Sequence, residues 1–406
     1  MNVESLVRDT LREQAAGQRA VEPGFADRVL AVRRRRRRVR GLASVAAVVT
    51  TVIAIAVGVP LLDSGRDSGR HEPPAAGNGI SAHPDQSPPR DLIAAGDVAL
   101  AAYYTAETVE RTAGEGVSRR TYWLLDPATG RYEKDDRWSY VAVAPGMRTA
   151  AVLERDLPAD RIGILDLATG DVDRWVKVGH GVGGLAYSRD GGRIVATTYD
   201  ENPDLRVRVQ AAEGGGEAWM SESGGTSRTG FLVLDVVTDE STWSAVPAGR
   251  DVNAREDFAF SRTGQLVYSR VVGERDGLQR FYDLSGAKTA APADERYLRS
   301  DVPARLSPDG RLAALGLAKE RKDTSWSSIR DPRTGEEVTE VRGATLLAWA
   351  DDRRLIAWER APGVAEYRPR LVLVTLGSDE VTQLSGTRVP DDDFDRQEWE
   401  PVFVTR

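Results

Sequence analysis

The sequence predicts an all-β chain of repeated four-stranded antiparallel sheets, preceded by a short helical head and one membrane-spanning helix. Three observations lead to this prediction. Two turn motifs alternate with short apolar strands over residues 91–406. The chain has 39 glycines and 20 prolines, a composition that suits many turns. An uncharged stretch at residues 41–62 is long enough, at about 1.5 Å per residue, to cross a bilayer core as a helix.

The first motif is a turn followed by a small apolar strand. Asp190-Gly191 and Asp309-Gly310 form its clearest turns. Aspartate accepts hydrogen bonds from the amides that follow it, and glycine adopts the left-handed conformation that closes a hairpin. The motif is therefore expected to place a tight turn before each strand. Its copies lie at residues 144–151, 188–196, 261–268, 307–314 and 350–357.

The second motif, D-x-x-T-G, follows an apolar strand and ends it in a turn. Its aspartate and glycine have the same roles as in the first motif. Together the two motifs give each repeat two hairpins, or one four-stranded antiparallel sheet. The clear copies are Asp126 to Gly130, Asp166 to Gly170 and Asp331 to Gly335, and weaker copies begin at Asp235, Asp283 and Thr375.

The spacing of the second motif predicts the architecture. Successive copies begin 40, 69, 48, 48 and 44 residues apart. A period of about 40–50 residues with four strands per unit is typical of β-propeller blades, and six copies predict a six-bladed β-propeller over residues 91–406. The longest interval contains residues 211–230, which we interpret as an insertion in a blade loop. Because a blade cannot bury its faces alone, we expect strands near residues 98–104 and 402–404 to close the ring in one sheet.

The motifs resemble the TolB-type, WD40-like β-propeller repeat, most clearly at residues 307–314 with 331–335 and at 188–196 with 166–170. The resemblance extends over most of residues 91–406. It implies the fold and leaves the function open, because such rings act as scaffolds, ligand readers and accessory domains of peptidases.

The residues before the repeats predict a membrane anchor. Residues 1–40 contain eleven arginines and five acidic residues, a balance of +6, so the rest of the chain carries −13. Positive charge next to an apolar span favours the cytoplasmic side. We therefore predict a cytoplasmic head at 1–40, a transmembrane helix at 41–62, a flexible linker at 63–90 and an extracytoplasmic propeller in the cell membrane. The topology signal consists of Arg33, Arg34, Arg35, Arg36, Arg37, Arg38 and Arg40.

The head contains two short amphipathic patterns that could contact a partner. Leu6 and Leu11 belong to the first pattern and Phe25 to the second. The alternative is a membrane-surface or loosely ordered segment that leads into the anchor. The layout is similar to that of actinobacterial membrane-anchored propeller proteins, some of them linked to sigma-factor control. The head lacks the His and Cys motif of zinc-binding anti-sigma domains.

The residue types exclude several kinds of chemistry. The chain has no cysteine, and His180 is its only histidine outside the head, anchor and linker. No G-x-S-x-G motif is present, so a Ser-His-Asp hydrolase is not supported. We interpret residues 178–184 as a glycine loop between blades and Asp391 to Asp395 as an acidic loop in preference to a calcium site. No cofactor, metal or nucleic acid is expected.

These observations favour a non-enzymatic binding, sensor or scaffold module with a protein or peptide partner. Trp219, inside the glycine-rich insertion, is the candidate contact on the propeller. The other tryptophans fall in or near predicted strands and are expected to pack between blades. The alternative is an extracytoplasmic hydrolase or lyase that uses Asp and Arg groups in the central channel of the propeller.

Overall fold

The computed structural model describes residues 79–210, 217–221, 227–246, 255–271, 277–321, 324–363, 368–388 and 396–406. The predicted head, transmembrane helix and most of the linker lie outside these ranges, as does Asp391 to Asp395. Within them the chain is all-β. None of these residues belongs to a helix that is long and apolar enough to cross a membrane.

The first half of the described chain contains two long strands, β2 and β8, among shorter ones. In order the strands are β1 (Ala94–Ala95), β2 (Val98–Thr112), β3 (Glu115–Asp126), β4 (Arg131–Asp135), β5 (Trp138–Val143), β6 (Thr149–Glu154), β7 (Ala159–Asp166), β8 (Val172–Tyr187), β9 (Arg193–Tyr199), β10 (Leu205–Gln210), β11 (Glu217–Met220), β12 (Arg228–Asp235) and β13 (Ser241–Ala245).

The second half continues with short strands and ends in a longer one. These strands are β14 (Ala259–Phe260), β15 (Leu266–Arg270), β16 (Gln279–Asp283), β17 (Lys288–Thr289), β18 (Ala313–Arg321), β19 (Thr324–Arg330), β20 (Glu337–Arg342), β21 (Thr345–Trp349), β22 (Arg354–Arg360), β23 (Pro369–Thr375), β24 (Val381–Thr387) and β25 (Arg396–Thr405).

The strands pair with their sequence neighbours in antiparallel meanders. Strands β14–β17 and β21–β24 form four-stranded sheets in chain order, and β18–β20 form a three-stranded sheet. An isolated bridge between Leu306 and Ala313 adds a fourth segment beside β18. Successive four-stranded antiparallel sheets of this kind are the blade topology of a β-propeller.

Strand β8 joins two such sheets. Its first half pairs with β7 and its second half with β9, so β5 to β9, β12 and β13 form one seven-stranded sheet. The interpretation of residues 178–184 as a loop is therefore wrong, because this segment continues the strand. Local register shifts near Val182 let the strand leave one sheet and enter the next.

The two ends of the repeat region pair with each other. Strand β25 pairs with β2, with Val98 opposite Thr405 and Ala102 opposite Val402. Strand β2 also pairs with β3, and β3 with β4, so the last strand of the chain completes the first sheet. The predicted pairing of residues 98–104 with 402–404 is confirmed.

Residues 79–90, at the end of the predicted linker, lie against the sheets. The amide of His83 donates to the carbonyl of Leu384 at 2.8 Å, and the amide of Gly386 donates to the carbonyl of Gln86 at 2.7 Å. Gln86 is buried and donates to the carboxylate of Asp91. The folded body thus begins before Asp91, because these polar groups replace water with partners on β24 and at the start of the repeats.

Apolar side chains fill the spaces between sheets. One cluster joins Ile164, Ile194 and Leu234, all at most 2% exposed, within the sheet that β8 shares. Trp358 and Trp399 lie at the junction of the last sheet with the closing strand, 5.0 Å apart in an edge-on arrangement. Burial on both faces explains why many strands have consecutive apolar residues in place of a strict alternation.

The repeat motifs form the turns that their residue types require. Gly130, Gly170 and Gly335 have φ angles of 68°, 71° and 77°. In the turn at Asp166, its carboxylate accepts hydrogen bonds from the amides of Ala168 and Thr169 at 2.7 and 3.0 Å. The carboxylate of Asp331 accepts both equivalent amides, and that of Asp126 accepts the amide of Ala128 and the hydroxyl of Thr129. The first motif behaves similarly: Asp190 and Asp309 each accept from a serine and an amide, and Gly191 and Gly310 are left-handed.

Part of the long interval between motifs adds two strands to the edge of the first sheet. Strands β2 and β3 extend beyond their blade as a hairpin, and β10 pairs with β3 through Leu205 opposite Val117. Strand β11 then pairs with β10. We call this extension, residues 105–121 together with 205–210 and 217–220, the arm. It joins two segments that are far apart in the sequence.

Candidate functional site

A cavity of about 650 Å³ lies where the first strands of successive sheets come together. Its walls include β5, the second half of β8 and the end of β25. This volume is within the range of about 300–1,000 Å³ that is typical of small-molecule sites. We call its end near Gly183 the loop mouth and its end near Ser188 the turn mouth. Strand β8 runs between them, at about 3.3 Å per residue.

The loop mouth is built around one buried aspartate. Asp204 directly precedes β10, and its side chain is 2% exposed. Arg120 donates to both of its oxygens, at 2.8 and 3.2 Å, and Arg255 donates to both at 2.8 and 2.7 Å. Two bidentate guanidiniums therefore hold one carboxylate, which fixes the planes of both arginines. Burial alone would raise the pKa of Asp204, but these two cations offset it and hold the pKa well below its ordinary value.

Arg255 extends this network to a second aspartate. Its Nη1 donates to Asp257 at 2.8 Å and to the carbonyl of Gly183 at 2.8 Å. The other oxygen of Asp257 accepts from the hydroxyl of Tyr199 at 2.9 Å. That hydroxyl in turn accepts from the amide of Glu256 at 3.0 Å. Both aspartates are therefore engaged with partners on neighbouring sheets.

The glycines of β8 make this close approach possible. A β-carbon on Gly184 would overlap the carboxylate of Asp257, and one on Gly183 would lie 2.6 Å from the ring of Tyr199. Because real β-carbons do not come this close to other heavy atoms, a side chain at either position would displace the network. The glycine string at residues 179–184 thus serves the loop mouth.

Tyrosine rings and apolar side chains form the rest of the cavity wall. Tyr104, Tyr122 and Tyr140 line it together with Arg120 and Arg255. The guanidinium of Arg255 lies 5.2 Å from the centre of the Tyr140 ring, and that of Arg120 lies 5.7 Å from it. Such cation–π contacts add to the ion pairs in holding the arginines. Burial raises the pKa of all three tyrosines, so their hydroxyl groups keep their protons at neutral pH.

The chemistry of the site favours binding over proton transfer. A general base needs an ionisable group that is accessible and poised near the working pH. Asp204 is buried and its pKa is far below that range. Both oxygens of Asp257 are already hydrogen-bonded. Among the described residues, no group of three or more His, Asp or Glu is arranged to hold a metal ion.

The predicted contact Trp219 lies in β11, on the arm. The guanidinium of Arg208 lies 4.6 Å from the centre of its ring, and the ring also approaches Gly116 of β3. Trp219 is half-buried, so part of it packs within the arm and part faces solvent. The other predicted contacts, Leu6, Leu11 and Phe25, and the arginine signal lie outside the described residues.

His180 has a packing role in the described structure. Its ring stacks on that of Trp243, with centres 4.1 Å apart and planes 12° apart. That His180 has no catalytic role remains a prediction.

The residues of the loop mouth were not named by the sequence patterns. Arg120 is 84 residues from Asp204, and Arg255 is 51 residues from it. A weak signal was available in the R-E-D sequence at 255–257, where three charged residues lie just before a short apolar segment. Charged residues at the start of an inner blade strand face the central channel, but their partners cannot be identified without the fold.

Comparison with known proteins gives only distant structural likenesses. No protein-family model matches the chain, and no curated protein sequence does. TolB from Acinetobacter baumannii is similar over 70% of this chain and 67% of its own, at 16% identity and a TM-score of 0.33. The Pan2 WD40 domain of Neurospora crassa is similar over 69% of this chain and 76% of its own, at 11% identity and a TM-score of 0.31. The hydrazine synthase of Kuenenia stuttgartiensis is similar over 64% of this chain and 68% of its own, at 13% identity and a TM-score of 0.32. These scores are too low to assign a family or a function.

Proposed function

We propose that the chain is a membrane-anchored binding module in which a six-bladed propeller recognises its ligand at the loop mouth. The observation that carries the proposal is the cavity wall of tyrosine and arginine side chains, whose two neighbouring carboxylates are already engaged. Rigid aromatic and arginine side chains are the groups that most often dominate binding energy at interfaces. A site of this kind orients a ligand and has no accessible base.

The proposed number of blades follows from grouping the strands by their pairing. Four blades come from four sets of strands: β5, β6, β7 and the first half of β8; the second half of β8 with β9, β12 and β13; β14–β17; and β21–β24. Leu306 with β18–β20 supplies a fifth, and β25 with β2–β4 supplies a sixth that joins the chain ends. Strands β10 and β11 belong to the arm and not to a blade. Low-angle scattering from the folded body provides an independent check of a closed ring.

The proposed location rests on sequence alone. The apolar stretch at residues 41–62 anchors the chain, and the arginines at 33–38 and 40 keep the head in the cytoplasm. The propeller then lies outside, and Leu6, Leu11 and Phe25 contact a cytoplasmic partner such as a sigma factor. A reporter fused after Arg406 that is active only in the cytoplasm would refute this topology. Neutral residues in place of Arg33 to Arg38 are expected to disturb the orientation.

The binding proposal is tested by site-specific photo-crosslinking in intact cells. A benzoylphenylalanine at position 104 places the probe on the cavity wall, and one at position 219 places it on the arm. The matched control is position 137, where an exposed arginine lies away from the cavity. We expect discrete crosslinked products from position 104, or from 104 and 219, and none from 137. Equal labelling at 104 and 137 in cells where the chain is functional would contradict the proposal.

The enzyme alternative is supported only by the presence of Asp257 and Arg255 beside the cavity. It predicts turnover of a peptide or glycan by the purified full-length chain. Turnover that Asp257→Asn abolishes, in a variant with unchanged unfolding behaviour, would replace the binding proposal. We expect no such turnover, because the carboxylate of Asp257 is held by Arg255 and Tyr199.

A further inference from the structure

We propose that the loop mouth binds the carboxylate or another oxyanion of an organic ligand, whose apolar part enters the cavity. The inference rests on the proposed binding function and specifies the ligand chemistry. It follows from the charge at the mouth, the donors on the cavity wall and the shape of the space.

The loop mouth carries an excess of positive charge. Arg120 and Arg255 line the cavity and pair with Asp204 and Asp257, and Arg206 adds a third cation that interacts with Asp204 from outside the cavity wall. Burial lowers the pKa of Arg206, Asp204 raises it, and repulsion by the two neighbouring arginines lowers it further. A bound anion would relieve this repulsion, and its interaction would be strong because the site is partly shielded from water.

Two glutamates and one arginine on or beside the closing strand also lie near the cavity wall. Glu400 lies opposite Tyr104 in the β2–β25 pair, but Arg388 donates to its carboxylate at 3.1 Å. Arg388 also pairs with Glu398 at 2.9 Å. Arg189 contributes a further positive charge to the cavity wall at the turn mouth. Because Glu398 and Glu400 share one arginine, the preference for an oxyanion rests on the guanidiniums of Arg120 and Arg255, which themselves line the cavity.

The donors at the mouth are held in place before any ligand arrives. Asp204 fixes both Arg120 and Arg255 in bidentate contacts, and their side chains are only 12% and 17% exposed. The protonated hydroxyl groups of Tyr104, Tyr122 and Tyr140 supply further donors on the same wall. Preorganised donors bind an anion with little loss of side-chain entropy.

The cavity also has room and apolar surface for the rest of the ligand. Leu185, Val402, Phe403 and Val404 line its interior beyond the tyrosines. At the turn mouth the guanidinium of Arg189 donates to the carbonyl of Pro308 at 3.0 Å. The amide of Gly146 donates to the carbonyl of Thr405 at 2.9 Å. These contacts tie the turn mouth to neighbouring segments of the chain. A ligand with a ring or branched chain next to its acid group fits this arrangement.

The proposal is tested by titration calorimetry on the full-length chain in detergent. The probes are N-acetylphenylalanine, its uncharged amide, phenyl phosphate and benzylammonium. We expect at least one of the two anions to bind tenfold or more tightly than the amide, with an affinity that falls as salt rises. Equal affinity for acid and amide, or preference for benzylammonium, would overturn the proposal.

The source of the anion is distinguished with one further pair of probes. A hexapeptide ending in phenylalanine is compared as the free acid and as the C-terminal amide. If the natural ligand is a peptide terminus, the free-acid peptide binds more tightly than N-acetylphenylalanine. If it is a free organic acid, the order is reversed, and both results support an oxyanion site provided that the amides bind weakly.

Substitutions of charged residues at the cavity are expected to change the affinity for anions in opposite directions. Asp257→Asn removes the one carboxylate that the described residues contribute to the cavity wall, and we expect anion affinity to rise about threefold to tenfold. Arg120→Gln is expected to reduce it by tenfold or more. Because Arg120 also stabilises Asp204, Tyr140→Phe provides a second test that leaves the ion pairs intact, with an expected loss of about threefold.

Arg137→Gln is the control, since Arg137 pairs with Asp135 away from the cavity. Weaker anion binding by Asp257→Asn, or equal loss in the control, would refute the proposal. Photo-crosslinking at position 104 without any anion binding would refute the oxyanion chemistry but retain the binding function. Absence of both would refute the two together.

Discussion

The repeat turns and the loop mouth are both built on aspartates, but the two regions hold these residues in different ways. In the turns, Asp166 accepts hydrogen bonds from amides two and three residues further along the chain. At the loop mouth, Asp204 is held by side chains 84 and 51 residues away. The turn is a local structure that its own sequence specifies, whereas the buried ion pairs exist only when three distant segments of the chain have come together.

This difference predicts that removing an aspartate lowers the stability of the fold by different amounts in the two regions. A turn aspartate remains in contact with water, so its loss removes hydrogen bonds that water can partly replace. Asp204 is shielded from water and neutralises two cations, so its loss leaves charges without compensation. The same residue type should therefore matter little in one region and greatly in the other.

The largest expected effect is that of Asp204→Ala. Removing the carboxylate leaves Arg120 and Arg255 nearly buried without their common partner, and a loss of about 3–5 kcal/mol in the free energy of unfolding is expected. Asp166→Ala is the matched control and should cost clearly less. Urea titrations of the full-length chain in detergent measure both. Equal losses would show that the network contributes no more than a turn.

A related effect concerns pH. The folded state holds the pKa of Asp204 below its ordinary value, so the unfolded chain binds the proton more readily. The resulting stabilisation is fully present above about pH 5 and is lost as the pH falls through the folded-state pKa, an effect of about 2–3 kcal/mol for a paired buried aspartate.

The measurement compares urea midpoints at pH 6 and pH 3 for the wild type and Asp204→Asn. Turn aspartates such as Asp190 and Asp309, whose pKa is also lowered, keep some acid sensitivity in both proteins. We expect a smaller decrease in the variant, because it lacks the proton-binding group. An identical decrease would mean that Asp204 does not titrate with folding.

A third effect separates two glycines in neighbouring segments. Gly184→Ala places a β-carbon into the carboxylate of Asp257, and we expect a loss of about 1–3 kcal/mol from overpacking. Gly192→Ala is the control, because the nearest atom to its β-carbon is 3.6 Å away and its φ is not positive. Thermal unfolding of both variants gives the comparison. A tolerated Gly184→Ala would indicate that β8 and residue 257 can move apart easily.

The smallest expected effect lies in the turns. Gly130 has a φ of 68°, and nothing lies within 4 Å of a β-carbon built on it. Gly130→Ala should therefore lose about 1 kcal/mol through backbone strain alone. Gly130→Asn should lose less, because asparagine tolerates the left-handed conformation. If the two variants are equally destabilised, a cause other than backbone conformation must be involved.

The sequence by itself determined the repeated turns, the all-β class and the pairing of the two ends of the repeat region. Aspartate, threonine and glycine act on amides within a few residues, so Asp126 to Gly130 specifies a turn wherever it occurs. The need of each sheet to cover its apolar faces then required the last strand to join the first.

The tertiary structure alone decided which charged residues meet at the loop mouth. Arg120, Asp204 and Arg255 come from three separate parts of the chain, and their attraction is realised only after water has been excluded around them. The glycines near His180, which were expected to form a loop, instead leave room for the side chains of Tyr199 and Asp257. Local hydrogen bonds can be predicted from spacing, whereas buried charge pairs depend on contacts that spacing does not encode.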